Sequence, residues 1–240
     1  MTISKETLQK LAQFDTPTIC NVIELFDVRP RNVGYMDHRI RCAYPELSPM
    51  VGFAATAAFR SAAPPDGKAA YGSLAQQLEL MAGLGGPAVI AIQDVDDPPA
   101  AAVFGEVMCS TYRAFGAAGL VTSGAGRDLE QVRALGFPVF TGSTICSHGY
   151  CHLLHLGEPI RLGGLVVQTG DLLHGDANGV TNIPHAIATQ VADAAGEFVA
   201  AEKDLLDYMQ GSAEKSAARA AELLQELAAA TSALRKRLAE

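Results

Sequence analysis

Short apolar runs alternating with helix-patterned segments constrain most strongly what this 240-residue chain can fold into. Residues 51–59, 88–94 and 119–122 read as strands, and 73–82, 106–115 and 128–135 read as helices interspersed with them. Residues 88–94 (Ala-Val-Ile-Ala-Ile-Gln-Asp) stay apolar until their last two positions, as a buried strand does. This strand–loop–helix rhythm predicts an α/β core. From 159 to 183 the pattern changes. Short strands broken by Gly163-Gly164, Gly170-Asp171 and Asn178-Gly179 predict antiparallel pairing through turns.

The flanks are helical. Residues 1–14 read as a short amphipathic helix carrying Lys5 and Lys10 rather than as a signal peptide, and no apolar run approaches the length of a bilayer span. Asp15 or Thr16 caps a second helix reaching about Phe26, with Pro17 in its first turn. Residues 29–49 are expected to be irregular and 62–68 to form a loop. Two helices are predicted at the end, over 185–209 and 212–238. The last places Ala217, Ala220, Leu224, Leu227, Thr231, Leu234 and Leu238 at alternating three- and four-residue steps, a heptad-type seam. The expected organisation is an α/β domain over 1–210 and an amphipathic helical extension over 211–240. That extension packs on its own core in preference to a neighbouring subunit, because Thr231 weakens the seam.

Composition narrows the partners. Hydrophobic content of 49% is ample for a large core, and charged content of only 18% suggests surface covered by other subunits. Eighteen basic against twenty-six acidic residues give a formal charge of −8, which argues against a nucleic-acid-binding face. Five cysteines, odd in number and without metal-finger spacing, read as reduced thiols of a cytoplasmic protein.

The chemistry concentrates in Glu106, twenty intervening residues, and the pair Arg127-Asp128. Arginine offers a planar, permanently charged fork for a carboxylate or enolate oxygen. Two acids nearby offer the hard oxygen ligands that Mg²⁺ takes together with several waters. Each residue also has a plain structural use: acids near helix starts satisfy free backbone N–H groups, and arginine forms surface ion pairs. Small residues before Arg127 (Ser123-Gly-Ala-Gly126) would let a ligand approach the backbone. His148 and His152 have the i, i+4 spacing of helical zinc ligands, but Gly149 and the strand pattern that follows argue against a helix there. For a single histidine such as His148, contact with substrate or proton transfer ranks ahead of zinc binding, and a structural role ranks ahead of both. His155 lies in the same segment and His174 in Leu172-Leu-His-Gly-Asp176; Asp171 and Asp176 read as turn residues, and Gly83-Leu-Gly-Gly86 as a loop.

Several anchor points, spread over roughly residues 15–190, resemble the RraA-like family. They are Asp15-Thr-Pro-Thr-Ile-Cys-Asn-Val-Ile23, Pro49-Met-Val-Gly-Phe-Ala-Ala-Thr56, the acid-x20-Arg-Asp element, Gly136-Phe-Pro-Val-Phe140, the run 157–171 and Gly175-Asp-Ala-Asn-Gly-Val-Thr-Asn-Ile-Pro184. The family includes class II pyruvate aldolases acting on 4-hydroxy-4-methyl-2-oxoglutarate and 4-carboxy-4-hydroxy-2-oxoadipate. The resemblance implies a layered α/β/β/α core with a mixed sheet, a Mg²⁺ or Mn²⁺ cofactor, a small keto-acid substrate, and a homotrimer or hexamer with sites at subunit boundaries. It implies that Asp128 holds the metal, that Glu106 acts on it through water, and that Arg127 clamps the forming pyruvate enolate. Gly105 and the backbone N–H groups of Val107 and Met108 would bind the substrate carboxylate. Two departures stand out. Glutamate replaces the aspartate common at position 106, and Ser123 replaces the aspartate of the family's Asp-Gly pair. The family also contains non-catalytic regulators that bind a ribonuclease. A quinone-precursor methyltransferase is disfavoured, because no S-adenosylmethionine-binding glycine loop follows a first strand.

Overall fold

The chain is described over residues 3–67 and 72–239 in a computed structural model. Met1, Thr2 and the last residue of the expected 62–68 loop lie outside that description. Helices α1 (Lys5–Leu11) and α2 (Thr16–Leu25) begin at Ser4 and Asp15, whose side chains accept the N–H groups of Thr7 and Thr18. The otherwise irregular 29–49 segment contributes β1 (Arg41–Cys42). Next come β2 (Met50–Arg60), α3 (Leu74–Ala82), β3 (Ala88–Asp94), β4 (Ala102–Phe104), α4 (Glu106–Ala114), β5 (Ala117–Thr122), β6 (Ala125–Gly126) and α5 (Leu129–Ala134). Then follow β7 (Val139–Thr141), β8 (Ser143–Thr144), β9 (His152–Leu156), β10 (Ile160–Leu162), β11 (Leu165–Val167), β12 (Leu172–Asp176) and β13 (Gly179–Ile183). A 3₁₀ turn (His185–Ile187), α6 (Ala188–Gln210) and α7 (Ala217–Leu238) end the chain.

The main sheet is mixed, in the order β1-β7-β5-β3-β2-β12-β13, with β9 also paired to β2. Strands β2, β3, β5 and β7 run parallel, and β1, β9, β12 and β13 add antiparallel edges. Eleven residues make β2 long enough to take two partners on one side: its start pairs with β12 and its end with β9. Side chains alternate along it. Val51 and Phe53 join the core under α1, α2 and α6, whereas Ala55, Ala57 and Phe59 join the core under α3 and α4. Met50 and Ala54 face a third cluster with Ile160, Leu162 and Val167 of the β10–β11 hairpin. That hairpin turns through Gly163 and Gly164 at φ +49° and +81°, where side chains other than glycine are strained.

A second, smaller sheet is absent from the sequence reading. Strands β4, β6 and β8 pair in parallel, with Phe104 opposite Gly126. A Cβ at Gly126 would lie 2.2 Å from the Phe104 ring, so glycine is what lets this ring close over the strand.

Two expectations for the C-terminus are corrected. Helix α7 starts at Ala217, five residues later than position 212, with the Ser216 side chain accepting Arg219 N–H. Its seam takes Leu223 (3% exposed) in place of Leu224 (53% exposed), and Ala217 is exposed; the remaining seam positions face inward. A straight helix at 3.6 residues per turn drifts from a strict heptad register, and Leu223 is on the face that drift selects. The helix packs on α6, and Leu234 enters the cluster under α1 and α2. Leu223→Ala is therefore expected to cost about 2–4 kcal/mol of stability and Leu224→Ala less than about 0.5 kcal/mol, read from urea midpoints. Equal losses would place the seam on the face the sequence suggested.

His174 on β12 is structural. It is 0% exposed; its Nε2–H donates to the Leu11 carbonyl at 3.1 Å, leaving Nδ1 to accept the Thr16 hydroxyl at 2.9 Å. Asp176 does more than turn the chain, since its Oδ2 accepts Thr16 N–H at 2.9 Å and so fixes the start of α2. Burial holds the His174 pKa below its usual value. The unfolded chain thus binds a proton that the folded one resists, and stability is lost as pH falls through about 6.5. His174→Gln should flatten that loss between pH 7.5 and 5.5 in urea titrations; an unchanged slope would refute the assignment.

Candidate functional site

The small sheet brings the acid-x20-Arg-Asp element together. Strands β4 and β6 are parallel neighbours, so their C-terminal ends emerge on the same edge. Gly105-Glu106 leaves one end and Arg127-Asp128 the other, and the intervening residues are used up by α4 and β5. The Arg127 N–H donates to the Phe104 carbonyl at 3.1 Å and ties the two exits.

Asp128 is in the left-handed region at φ 54°, ψ 40°. That conformation costs an L-residue roughly 1–2 kcal/mol and clusters at functional sites. Its carboxylate does not cap α5, the helix it precedes. Instead Oδ2 accepts the N–H of Glu106, the first residue of α4, at 3.1 Å. Gly105, the α4 N-cap, has no side chain to do this, and a Cβ there would lie 2.5 Å from Asp128 Oδ2 and 3.2 Å from Arg127 Nε. Arg127 Nε is 3.9 Å from the same carboxylate oxygen, and both side chains keep about a third of their surface in solvent (37% and 36%). Glu106 is exposed, and Val107 and Met108 occupy the first turn of α4, where N–H groups have no intrahelical partner. Behind them the buried Cys109 thiol is pushed up to about 12 by burial, with the Asp128 charge adding to it, and stays protonated.

Among the described residues no group of three or more His, Cys, Asp and Glu side chains is arranged to hold a metal. A metal here would rest on Asp128 with water and substrate completing the shell. That donor set fits Mg²⁺, which keeps its waters and takes one or two carboxylates, better than a metal needing a protein cage.

Arg127, Gly105 and Met108 line a cavity of about 350 Å³. His148 and His152 line it as well. His152 starts β9, and His148 precedes it in a loop, so the helical zinc pairing does not form. Tyr112 and Gln77 are also among its lining residues: the Tyr112 hydroxyl donates to Gln77 Oε1 at 2.6 Å, while Gln77 Nε2 is buried with no partner among the described residues. Tyr112 and Gln77 were not singled out in the sequence, where they read as ordinary helix positions.

Asp94, at the end of β3, was also missed. It lines a separate cavity of about 550 Å³ with Ser123. Its Oδ1 accepts Asp96 N–H at 3.0 Å, its Oδ2 has no partner among the described residues, and burial pushes its carboxyl up to about 6. Ser123 Oγ accepts Asp94 N–H at 3.0 Å and so ties β3 to the end of β5.

Comparison with known proteins agrees with this fold. The family model RraA-like (Aldolase/RraA) matches residues 16–181. A Halalkalibacterium halodurans protein, provisionally named 4-hydroxy-4-methyl-2-oxoglutarate aldolase, is 35% identical over 99 residues, which are 41% of this chain and 47% of that protein. The match thus spans about half the length of that relative. Among solved structures, an uncharacterized protein from Pseudomonas syringae pv. tomato superposes with TM-score 0.72 at 19% identity, over 95% of this chain and 96% of that one. Streptomyces coelicolor RraAS2, described as an unusual member of the RNase ES inhibitor RraA protein family, gives TM-score 0.66 at 21% identity over 88% and 99%. At these identities the structural likeness speaks for the fold. With the family model covering well over half its length, this chain belongs to the RraA-like family.

Proposed function

We propose that this chain is a divalent-metal-dependent carbon–carbon lyase that cleaves 4-hydroxy-2-keto acids to pyruvate, decarboxylates oxaloacetate, or does both. The observation that carries the reading is the meeting of the Asp128 carboxylate, the Arg127 fork and the free N–H groups of α4 at one edge of the small sheet, beside a cavity. The aldolase name of the Halalkalibacterium relative supports the same reaction class.

Asp128, assisted by Glu106 through water, is the proposed metal holder, and Mg²⁺ or Mn²⁺ bound there would withdraw electrons from the keto group as a Lewis acid. The substrate C1 carboxylate docks on the N–H groups of Val107 and Met108, where the α4 dipole favours an anion. Arg127 holds the C2 oxygen and gains in strength as that oxygen becomes an enolate, so it stabilises the transition state more than the ground state. Glu106, exposed at the rim, takes the proton leaving the C4 hydroxyl through an ordered water and returns one to C3. Both activities are open to one site because each passes through the pyruvate enolate.

The test is pyruvate release from oxaloacetate and from 4-hydroxy-4-methyl-2-oxoglutarate, with Mg²⁺ and after chelation. Metal-dependent release supports the lyase. Absence of release from folded, metal-replete protein turns the reading to a non-catalytic RraA-type regulator of a ribonuclease, which a nuclease pull-down would then recover. Ser123 favours that second reading, because its hydroxyl is spent on β3 and brings no charge toward the site. A homotrimer or hexamer is part of the proposal, consistent with the low charge content and with Val107, 78% exposed at the site's edge. Equilibrium sedimentation returning only monomer would remove it.

A further inference from the structure

Asp94 is a buried acid that the lyase mechanism leaves unused. It ends β3 and is 8% exposed. Its backbone N–H donates to Ser123 Oγ at 3.0 Å and its Oδ1 accepts the Asp96 N–H at 3.0 Å, but Oδ2 is sealed from solvent without a hydrogen-bond partner among the described residues. The packing around that oxygen links it to the site. A Cβ built on Gly124 would lie 2.4 Å from Val103 Cγ2 and 2.8 Å from Asp94 Oδ2. The carboxyl therefore lies against the backbone entering β6, beside a side chain of β4, across a gap too small for a methyl group. Val103 and Gly124 each stand three residues ahead of a site residue, Glu106 and Arg127 respectively. These strands have only three and two residues, so little else fixes their exits.

This position suits one protonation state of the carboxyl and not the other. Neutral, it leaves one hydrogen bond unmade; ionised, it carries a charge whose sealed oxygen meets neither water nor a donor. No ion pair among the described residues includes Asp94. Arg60 is engaged by Asp96 at 3.5 Å and Arg39 by Asp37 at 2.6 Å, while His38, Arg41 and Arg161 line the same cavity as Asp94 without pairing to it. The Asp96 carboxylate and the Cys151 thiol are the other titratable groups coupled to its charge. Burial pushes the Asp94 carboxyl up to about 6; the Asp96 charge adds to this and the Asp96 N–H opposes it. Above that pH the anion gains water only by moving, and it lies against the root of the strands that carry the site. Displacing a reacting group by an ångström is enough to cost roughly 10²-fold in rate.

We propose that Asp94 is a positioning residue for Glu106, Arg127 and Asp128, seating β4 and β6 while it is a neutral acid and loosening them as an anion, so that the site is best assembled in mildly acidic conditions. The proposal rests on the lyase reading for what those residues do, and it assigns no contact between Asp94 and substrate. The same coupling has a signature in folding. The folded carboxyl keeps its proton to a higher pH than the unfolded one, whose pKa is about 3.9. Its contribution to stability is therefore complete below the unfolded value and lost as pH rises through about 6. Asp94→Asn should remove that loss in urea titrations.

The experiment measures kcat/KM for Mg²⁺-dependent pyruvate release from 4-hydroxy-4-methyl-2-oxoglutarate between pH 5.5 and 7.5, in the natural protein, Asp94→Asn and Asp97→Asn. Asparagine keeps the acceptor for the Asp96 N–H and stays neutral throughout. Asp97 is exposed on the same cavity, so its substitution removes an equal charge without the burial. The ratio of Asp94→Asn to natural kcat/KM should rise about tenfold across that range as the natural protein loses its neutral form, and the Asp97→Asn ratio should stay flat. Groups that titrate in all three proteins cancel in the ratios. In parallel, hydrogen exchange follows the Arg127 and Glu106 amides, which donate to the Phe104 carbonyl and to Asp128 Oδ2. At pH 7.5 both should exchange faster in the natural protein than in Asp94→Asn, and the two proteins should converge at pH 5.5. A flat Asp94→Asn ratio, or an equal rise in Asp97→Asn, overturns the positioning role and leaves the lyase standing. If none of the proteins releases pyruvate, the lyase reading fails and exchange alone decides: a pH-dependent difference supports Asp94 as the residue that seats the strands, and equal exchange overturns it. If Asp94→Asn does not fold, exchange in the natural protein, corrected for its intrinsic pH dependence, replaces the comparison; protection unchanged from pH 5.5 to 7.5 overturns the proposal, and protection lost over that range supports it.

Discussion

Asp128→Asn is expected to lower metal-dependent pyruvate release by roughly 10²–10³-fold while leaving the protein folded. Asparagine is one of the few residues that tolerate the left-handed backbone found at φ 54°. Its side-chain oxygen can still accept the Glu106 N–H that Asp128 Oδ2 accepts at 3.1 Å. The substitution therefore removes a charge and little else. Asp128→Gly separates the same roles differently. It relieves the backbone by about 1 kcal/mol and gives up the cap on α4, worth about as much, so stability should barely move while activity vanishes. Thermal melts beside pyruvate release, with and without Mg²⁺, measure both. An Asp128→Asn protein that kept its activity would show the carboxylate to be only a helix cap, and the metal assignment would fall with it.

Gly105→Ala is expected to reduce kcat/KM by about 10²-fold, the usual consequence of shifting a reacting group by an ångström. The new Cβ would stand 2.5 Å from Asp128 Oδ2, which must shift, and 3.2 Å from Arg127 Cγ and Nε, which must give by a few tenths of an ångström. The backbone itself has no objection: Gly105 is extended, at φ −154°, a conformation open to alanine. The loss should therefore appear in activity far more than in melting temperature. Gly85→Ala is the control, because a Cβ there meets nothing within 4 Å. Comparable activity in Gly105→Ala and Gly85→Ala would mean that the contact between the two strand exits does not position the chemistry.

Much of the fold was legible because local patterns and tertiary demands agree. The apolar run at 88–94 coincides with β3, Ser73 caps α3 through a reciprocal pair with Gln76, and the paired glycines at 163–164 turn the β10–β11 hairpin. These are short-range matters of burial, capping and turn chemistry, and a chain states them residue by residue. The acid-x20-Arg-Asp spacing was legible as a motif, and the residues do meet.

How they meet was not legible. Strands β4, β6 and β8 are three, two and two residues long, too short to show a period, and they exist only because they pair with one another. Asp128 reads in sequence as the cap of its own helix; it caps α4 instead, because the parallel register of β4 and β6 sets the two exits side by side. The exchange of Leu224 for Leu223 follows helix drift from a strict heptad, and the unpaired amide of Gln77 and the buried carboxyl of Asp94 depend on neighbours distant in the chain. What could be read from the chain alone was the longer strands and most of the helices, the family and the residue types available for chemistry. Tertiary structure alone decided which of those residues face one another and which wall a substrate would touch, because both are set by strand register and by burial against distant segments, and neither leaves a local trace.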